Sequence, residues 1–290
     1  MPEFAALTQA GRRPADEAGR PQSGLQSVAA RERLGEREQV LQDEVAEECP
    51  VALSYNGISH AVMMATPLDL EDLARGFSLS EGIVDGVADI FAIDVSGDVD
   101  NGFTLDLHIH GARLDRLKRQ HRHMAGPTGC GLCGKDSLQA VMQPLSQLVP
   151  RGLPAAAAVE QALHNLPARQ RIQQQTGACH AAAWCSAAGD IVLSREDVGR
   201  HNALDKLIGA LMQGDDGPQR DLDGFVLVSS RASYELAYKC VRAGLPSLVA
   251  VSGATQLAIQ TAARNHLNLL AFARPGRQVV YHAAAGGTSS

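Results

Sequence analysis

Gly224-Phe225-Val226-Leu227-Val228-Ser229-Ser230-Arg231 is the stretch that decides the fold. Its apolar run shows no polar alternation, which is the pattern of a short strand covered on both faces. A helix is expected over residues 232–243, a second apolar strand over 247–251, a helix over 254–265 and a last inner strand over 269–273. Short apolar strands alternating with helices predict a sheet with parallel strands and helices packed on it. Upstream lie an alanine-rich helix over 155–166, a hairpin of 178–186 and 191–194 around Gly189-Asp190, and a helix over 198–212. Residues 151–290 therefore read as a three-layer α/β domain.

The first half has a different texture. Residues 1–40 are rich in Ala, Arg, Gly, Gln, Glu and Pro and poor in large apolar residues, so they read as a disordered tail. Asn56-Gly57 between 51–55 and 58–64 is a strong hairpin signal, because both residues tolerate positive φ. Thr66-Pro67 predicts a helix N-cap and a proline at the first helical position, with Asp69, Glu71 and Asp72 at the positive end of the dipole. That helix should end near Glu81 and stop at Gly82, and a second hairpin should turn around Asp100-Asn101-Gly102 within 90–109. Residues 41–125 thus read as a small α+β domain, and 126–150 as a cysteine loop with a linker helix.

Composition narrows the function classes. The chain has 290 residues, 45% of them apolar, enough for one large core or two modest ones. A net charge of −6 argues against general nucleic-acid binding. The apolar runs are too short to cross a bilayer, and Arg12-Arg13 precedes no apolar stretch of the kind an export signal needs. Six cysteines without a regular framework fit a reducing compartment, so a cytoplasmic protein is expected.

The chemistry concentrates in Gly129-Cys130-Gly131-Leu132-Cys133-Gly134-Lys135. Three glycines leave the backbone around both sulfurs free to bend and open to a partner. Lys135 and a helix expected over 136–142 bring positive charge and free N–H groups near the thiols, which favours the thiolate. A fall in pKa from ~8.5 to ~6.5 would raise the thiolate fraction at neutral pH from a few per cent to about three quarters.

A second cluster lies at expected strand ends. It comprises Arg195-Glu196-Asp197-Val198-Gly199-Arg200-His201-Asn202, Ser229-Ser230-Arg231, and Phe272-Ala273-Arg274-Pro275-Gly276-Arg277. Ligands of open α/β sheets collect at the C-terminal ends of the strands, and arginines beside helix N-termini suit phosphates. Each arginine alone reads as a cap or a solvated ion pair; convergence on one rim is what favours a site. No P-loop or G-x-G-x-x-G fingerprint is present.

These segments, with Tyr55-Asn56-Gly57-Ile58, Asp72-Leu73-Ala74-Arg75-Gly76-Phe77, His180-Ala181-Ala182-Ala183-Trp184 and the continuation through Asp205-Lys206, closely resemble the formate dehydrogenase accessory sulfurtransferase (FdhD-type) family over residues 45–282. The resemblance implies a cytidine-deaminase-like fold for the second half. It implies transfer of sulfur from a cysteine desulfurase to the molybdenum bis(molybdopterin guanine dinucleotide) cofactor of formate dehydrogenase, and a homodimer. Cys130 would carry the persulfide and residues 272–277 would bind the cofactor, with Arg231 beside them. Cys179 departs from the family pattern and has no assigned role. The loop chemistry agrees: a persulfide on Cys130 can release its outer sulfur when Cys133 attacks the inner one.

Three rival readings remain. His121, His123, Cys130 and Cys133 could form a structural zinc site, although their H-x-H spacing is tight and Arg113, Arg116, Lys118, Arg119 and Arg122 would repel a cation. A zinc deaminase needs His-x-Glu followed by Pro-Cys-x-x-Cys; His180 is followed by Ala181 and Ala182 instead. A thioredoxin-like enzyme would place its cysteine pair after a first strand. Trp184, Met63 and Met64 read as core, Cys49, Cys185 and Cys240 as small buried hydrophobes, and His60, His108 and His110 as surface residues. His201 reads equally as a helix cap and as a cofactor contact.

Overall fold

The computed structural model describes residues 23–114, 117, 145–213 and 223–284. In chain order the elements are strands β1 (Leu25–Leu34), β2 (Arg37–Ala46), β3 (Cys49–Tyr55) and β4 (Ile58–Ala65), helix α1 (Leu70–Ser80), and strands β5 (Ile90–Asp98) and β6 (Gly102–Ile109). Helices α2 (Ala156–Asn165) and α3 (Arg171–Thr176), strands β7 (His180–Cys185) and β8 (Ile191–Asp197) and helix α4 (Arg200–Met212) follow. The chain then runs through β9 (Phe225–Val228), α5 (Tyr234–Arg242), β10 (Ser247–Ala250), α6 (Gln256–Asn265), β11 (Asn268–Arg274) and β12 (Arg277–His282).

The six-stranded sheet has the order β12-β11-β10-β9-β7-β8, with β9, β10 and β11 parallel. Alternate residues face opposite sides, as a period of two requires. Val226, Val228, Leu248, Ala250, Leu269 and Ala271 point towards α4, α5 and α6, and Phe225, Leu227, Val249 and Leu270 towards α2. This is the three-layer α/β arrangement that the unbroken apolar strands require. Each fully buried Leu, Val or Phe contributes about 1.5–3 kcal/mol relative to exposure.

The four-stranded sheet, order β4-β3-β6-β5, lays one face on α1, and α1 lies against α4. A single core therefore runs from Val51, Leu53 and Leu105 through Leu73 and Leu204 to Leu248, so the small unit shares its interior with the larger one. Glycine permits that contact. A Cβ on Gly76 would stand 1.7 Å from the Asp205 carbonyl oxygen, and one on Gly209 would stand 1.9 Å from that of Asp72.

Several expectations need correction. Residues 25–40 belong to a β-hairpin with ten paired positions, not to a disordered tail. Composition hides the ladder, the Arg33–Glu38 pair at 2.6 Å, and the anchoring of Gly24, whose N–H donates to Glu47 Oε2 at 3.1 Å. Thr66 does not cap α1; the helix starts at Leu70 after Asp69, whose φ is 52°. The Gly82 stop is as expected, with φ 72°. The strand taken as the last inner one, β11, is followed by β12 on the sheet edge, so Arg274-Pro275-Gly276-Arg277 is a hairpin turn. Met64 is not core but 49% exposed on β4. The junction between the two units and the linker helix over 126–150 fall largely outside the described residues.

Candidate functional site

β7 runs antiparallel to both β8 and β9, with His180 opposite Asp197 and Ala182 opposite Val228. The start of β7 and the end of β8 thus meet the C-terminal ends of β9, β10 and β11 on one rim, where ligands of such sheets collect. Backbone bonds lace the rim loops together. Ser229 N–H donates to the Ala181 carbonyl, and Ala181 N–H to Ser229 Oγ at 2.9 Å. Ser252 N–H reaches the Ser230 carbonyl, Phe272 N–H the Ser252 carbonyl at 2.9 Å, and Ala232 N–H the Gly253 carbonyl at 3.0 Å.

Within this frame Phe272 adopts φ 48°, and its ring packs on Gly253 and carries the Arg277 guanidinium 5.2 Å from its centroid. Ala273 is buried beneath the sheet, whereas Arg274, Pro275, Gly276 and Arg277 are exposed on the turn. Arg231 is exposed where β9 gives way to α5. The rim thus gathers Arg231 and residues 272–277, as the strand-end pattern requires. Arg195 is not among them: it turns to α1 and donates to Asp72 Oδ2 at 2.7 Å.

Most of the polar run from Glu196 to Lys206 serves the fold. Glu196 accepts from the Ile172 and Gln173 N–H groups that open α3. Asp197 and Lys206 form a fully buried pair at 2.6 Å. Lys206 Nζ also donates to the Thr66 carbonyl at 2.9 Å, while Asp197 accepts from the N–H groups of Thr66 and Gly199 and from Asn202. Asn202 adds a bond to the Met64 carbonyl, so this network joins β4 to α4. From α5, Lys239 bonds Asp205, Ser80 and Glu81. Burial opposes the Lys239 charge, yet Asp205 and Glu81 more than offset it and hold its pKa above the usual lysine range. Such groups must be paired to be buried at all.

Arg200 and His201 face the rim instead. His201 Nε2 lies 3.3 Å from Glu235 Oε2, and Ser233 Oγ donates to the same carboxylate oxygen at 2.9 Å. His201 chiefly, with Ser233, holds the Glu235 pKa down to about 2. His180 titrates below the usual histidine range because it is half-buried and because Arg200 and His201 stand beside it. Arg200 and His201 were already part of the strand-end cluster in sequence; the approach of Glu235 and His180 to them was not marked by spacing.

Cys130 and Cys133 lie outside the described residues, as do His121 and His123 of the zinc reading. The four described cysteines are all buried. Burial pushes the thiols of Cys49 and Cys179 up to about 11 and that of Cys185 up to about 12, and raises Cys240 further. Such thiols are inert nucleophiles at neutral pH. Cys179 is a packed residue, its thiol next to the Thr66 side chain. Among the described residues no cluster of three His, Cys, Asp or Glu is arranged to hold a metal ion.

The FdhD/NarQ family profile matches residues 46–286. The chain belongs to the FdhD/NarQ family. A Chromobacterium violaceum relative named sulfur carrier protein FdhD is 49% identical over 268 residues, 91% of this chain and 97% of the relative. A relative of the same name from Xanthomonas euvesicatoria is 47% identical over 273 residues, covering 92% and 93% of the two chains. The fold is also that of a crystal structure from Desulfotalea psychrophila, described as a putative formate dehydrogenase accessory protein. That structure has a TM-score of 0.68 at 22% identity, covering 89% of this chain and 97% of the other.

Proposed function

We propose that this chain is a sulfur carrier serving a formate dehydrogenase, with Cys130 as the atom that carries sulfur. The observation that carries this reading is the state of the thiols. Each described cysteine is buried with a raised pKa, which supports assigning the sulfur chemistry to the glycine-flanked Cys130 and Cys133 that the sequence singles out. The names of the close relatives supply the biological setting.

In the proposed reaction, the Cys130 thiolate attacks the outer sulfur of a persulfide on a cysteine desulfurase. The Cys130 S–S bond forms, the donor S–S bond breaks, and the donor cysteine leaves as thiolate. Cys133 then attacks Cys130 Sγ, expelling hydrosulfide to the acceptor and leaving a Cys130–Cys133 disulfide, which a cellular dithiol reduces. The acceptor is the molybdenum bis(molybdopterin guanine dinucleotide) cofactor, taken as substrate at the rim. Its phosphates suit the guanidinium groups of Arg231, Arg274 and Arg277, and its guanine rings suit the Phe272 face. The same proposal takes the carrier to work as a homodimer in the cytoplasm.

Cells lacking their own carrier test the function by complementation, read as formate dehydrogenase activity. Cys130→Ala should abolish that activity with the soluble protein level unchanged. Full activity in that variant would overturn the reading.

A further inference from the structure

The hairpin of β1 and β2 stands apart from the rest of the fold. Its ten paired positions extend about 34 Å. It is held at its root, where Gly24 and Glu47 bond to each other and α3 lies against β2. None of Val28, Leu34, Val40, Leu41 or Val45 belongs to a hydrophobic core or packs against one. Val40 is 75% exposed and Leu34 61%. The hairpin is a sheet of its own, so the outer edge of β2 has no neighbouring strand among the described residues. A lone two-stranded hairpin is marginal in water, and a long open edge is a template for another strand.

The charges on β2 show which strand fits that edge. Arg33 and Glu38, and Glu32 and Gln39, satisfy one another within the hairpin. Arg37 and Asp43 do not: they lie opposite Leu34 and Val28, and among the described residues neither has an ionic partner. Both project from the same face of β2, because alternate side chains share a face. A second β2 laid antiparallel along the edge, with Val40 opposite Val40, sets Arg37 of each copy against Asp43 of the other. Sliding that register by two residues in either direction loses both ion pairs, and one of the two shifts opposes Glu38 to Glu44. The strand is complementary to itself.

We propose that β2 pairs with β2 of a second copy of this chain, antiparallel about Val40, so that the two hairpins form one four-stranded sheet across a dimer. This gives the homodimer of the proposed function an interface and rests on that reading. Main-chain bonds along residues 37–43 supply attraction, and the two Arg37–Asp43 pairs fix the register. The family profile starts at residue 46, so the hairpin lies before the segment that it matches.

Sedimentation velocity on the full chain, over a dilution series, tests this. Wild type should sediment as a dimer. Arg37→Glu and Asp43→Arg should each raise the dimer dissociation constant about tenfold or more, because each turns two attractive cross-strand pairs into repulsive ones. Both variants should keep the wild-type melting temperature. An equimolar mixture of the two should restore the dimer, since the new glutamate of one copy then faces the new arginine of the other, and the unchanged Asp43 faces the unchanged Arg37. A short bis-maleimide should join two copies of Val40→Cys in a chain that also carries Cys130→Ala and Cys133→Ala. The same chain with Val40 intact should stay unlinked. Wild-type dimerisation in folded Arg37→Glu and Asp43→Arg, no recovery on mixing them, or no link through position 40 would overturn the pairing while the homodimer stands. A wild type that is monomeric throughout would overturn both, and neither result bears on sulfur loading at Cys130.

Discussion

Replacing Lys206 by Met would remove the cation from a pair whose two side chains are wholly buried and 2.6 Å apart. Asp197 would lose its counter-charge, and the Thr66 carbonyl the ammonium donor now 2.9 Å away. Three donors to Asp197 remain, the N–H groups of Thr66 and Gly199 and the Asn202 amide. Breaking one side of a buried pair costs about 3–5 kcal/mol, and the surviving bonds put the expected loss near the lower end, roughly 3 kcal/mol. That is a large share of a typical stability of about 5–15 kcal/mol. With a urea slope of about 3 kcal/mol/M for a chain of this size, the midpoint should fall by about 1 M. Urea unfolding followed by circular dichroism measures it. Replacing both partners, as Asp197→Asn with Lys206→Met, should recover part of the loss, because no unpaired charge is then left inside and the Asn carbonyl oxygen still offers an acceptor to the neighbouring donors. A single-variant loss below about 1 kcal/mol would refute the argument that this pair holds β4 to α4.

The state of the thiols predicts the pattern of alkylation. In native protein at neutral pH iodoacetamide should label Cys130 and Cys133 and leave Cys49, Cys179, Cys185 and Cys240 unmodified until denaturant is added, as peptide mass spectrometry would read. A thiol with a pKa of about 11, such as Cys179, is ionised at pH 7 to only about one part in ten thousand. Lys239 predicts the alkaline limit. Its folded pKa lies above the unfolded value, so its contribution is fully present below the ordinary lysine pKa of 10.5 and is lost as pH rises beyond it. Thermal unfolding scans from pH 9 upwards should show the melting temperature dropping, and Lys239→Met should flatten that limb.

The three-layer sheet was legible because strands buried on both faces must be continuously apolar, as residues 225–228 and 248–250 are. The Asn56-Gly57 hairpin was legible because its turn requires positive φ, and the two residues adopt 51° and 79°. The β1–β2 hairpin was not, since its stability lies in a backbone ladder and a pinned root at Gly24, neither of which composition records. Thr66 illustrates a different failure. A threonine before a proline is a good cap by local rules, yet its N–H and hydroxyl are taken up by Asp197 and Val198, more than a hundred positions away, and its carbonyl is shared between Lys206 and the nearby Leu68 N–H. At the rim the arginines of residues 272–277 stood out as a cluster in sequence. Arg200 and His201 stood out with them, but the approach of His180 and Glu235 did not, because sheet topology alone brings those two to the same place.

The central claim is that Cys130 carries the sulfur. Incubation of the purified chain with a cysteine desulfurase and cysteine, followed by non-reducing peptide mass spectrometry, tests it most directly. The account predicts one added sulfur atom on the peptide containing Cys130, released by a reducing dithiol and missing from Cys130→Ala. Sulfane sulfur found only on Cys179 or Cys240, or loading undiminished in Cys130→Ala, would contradict it.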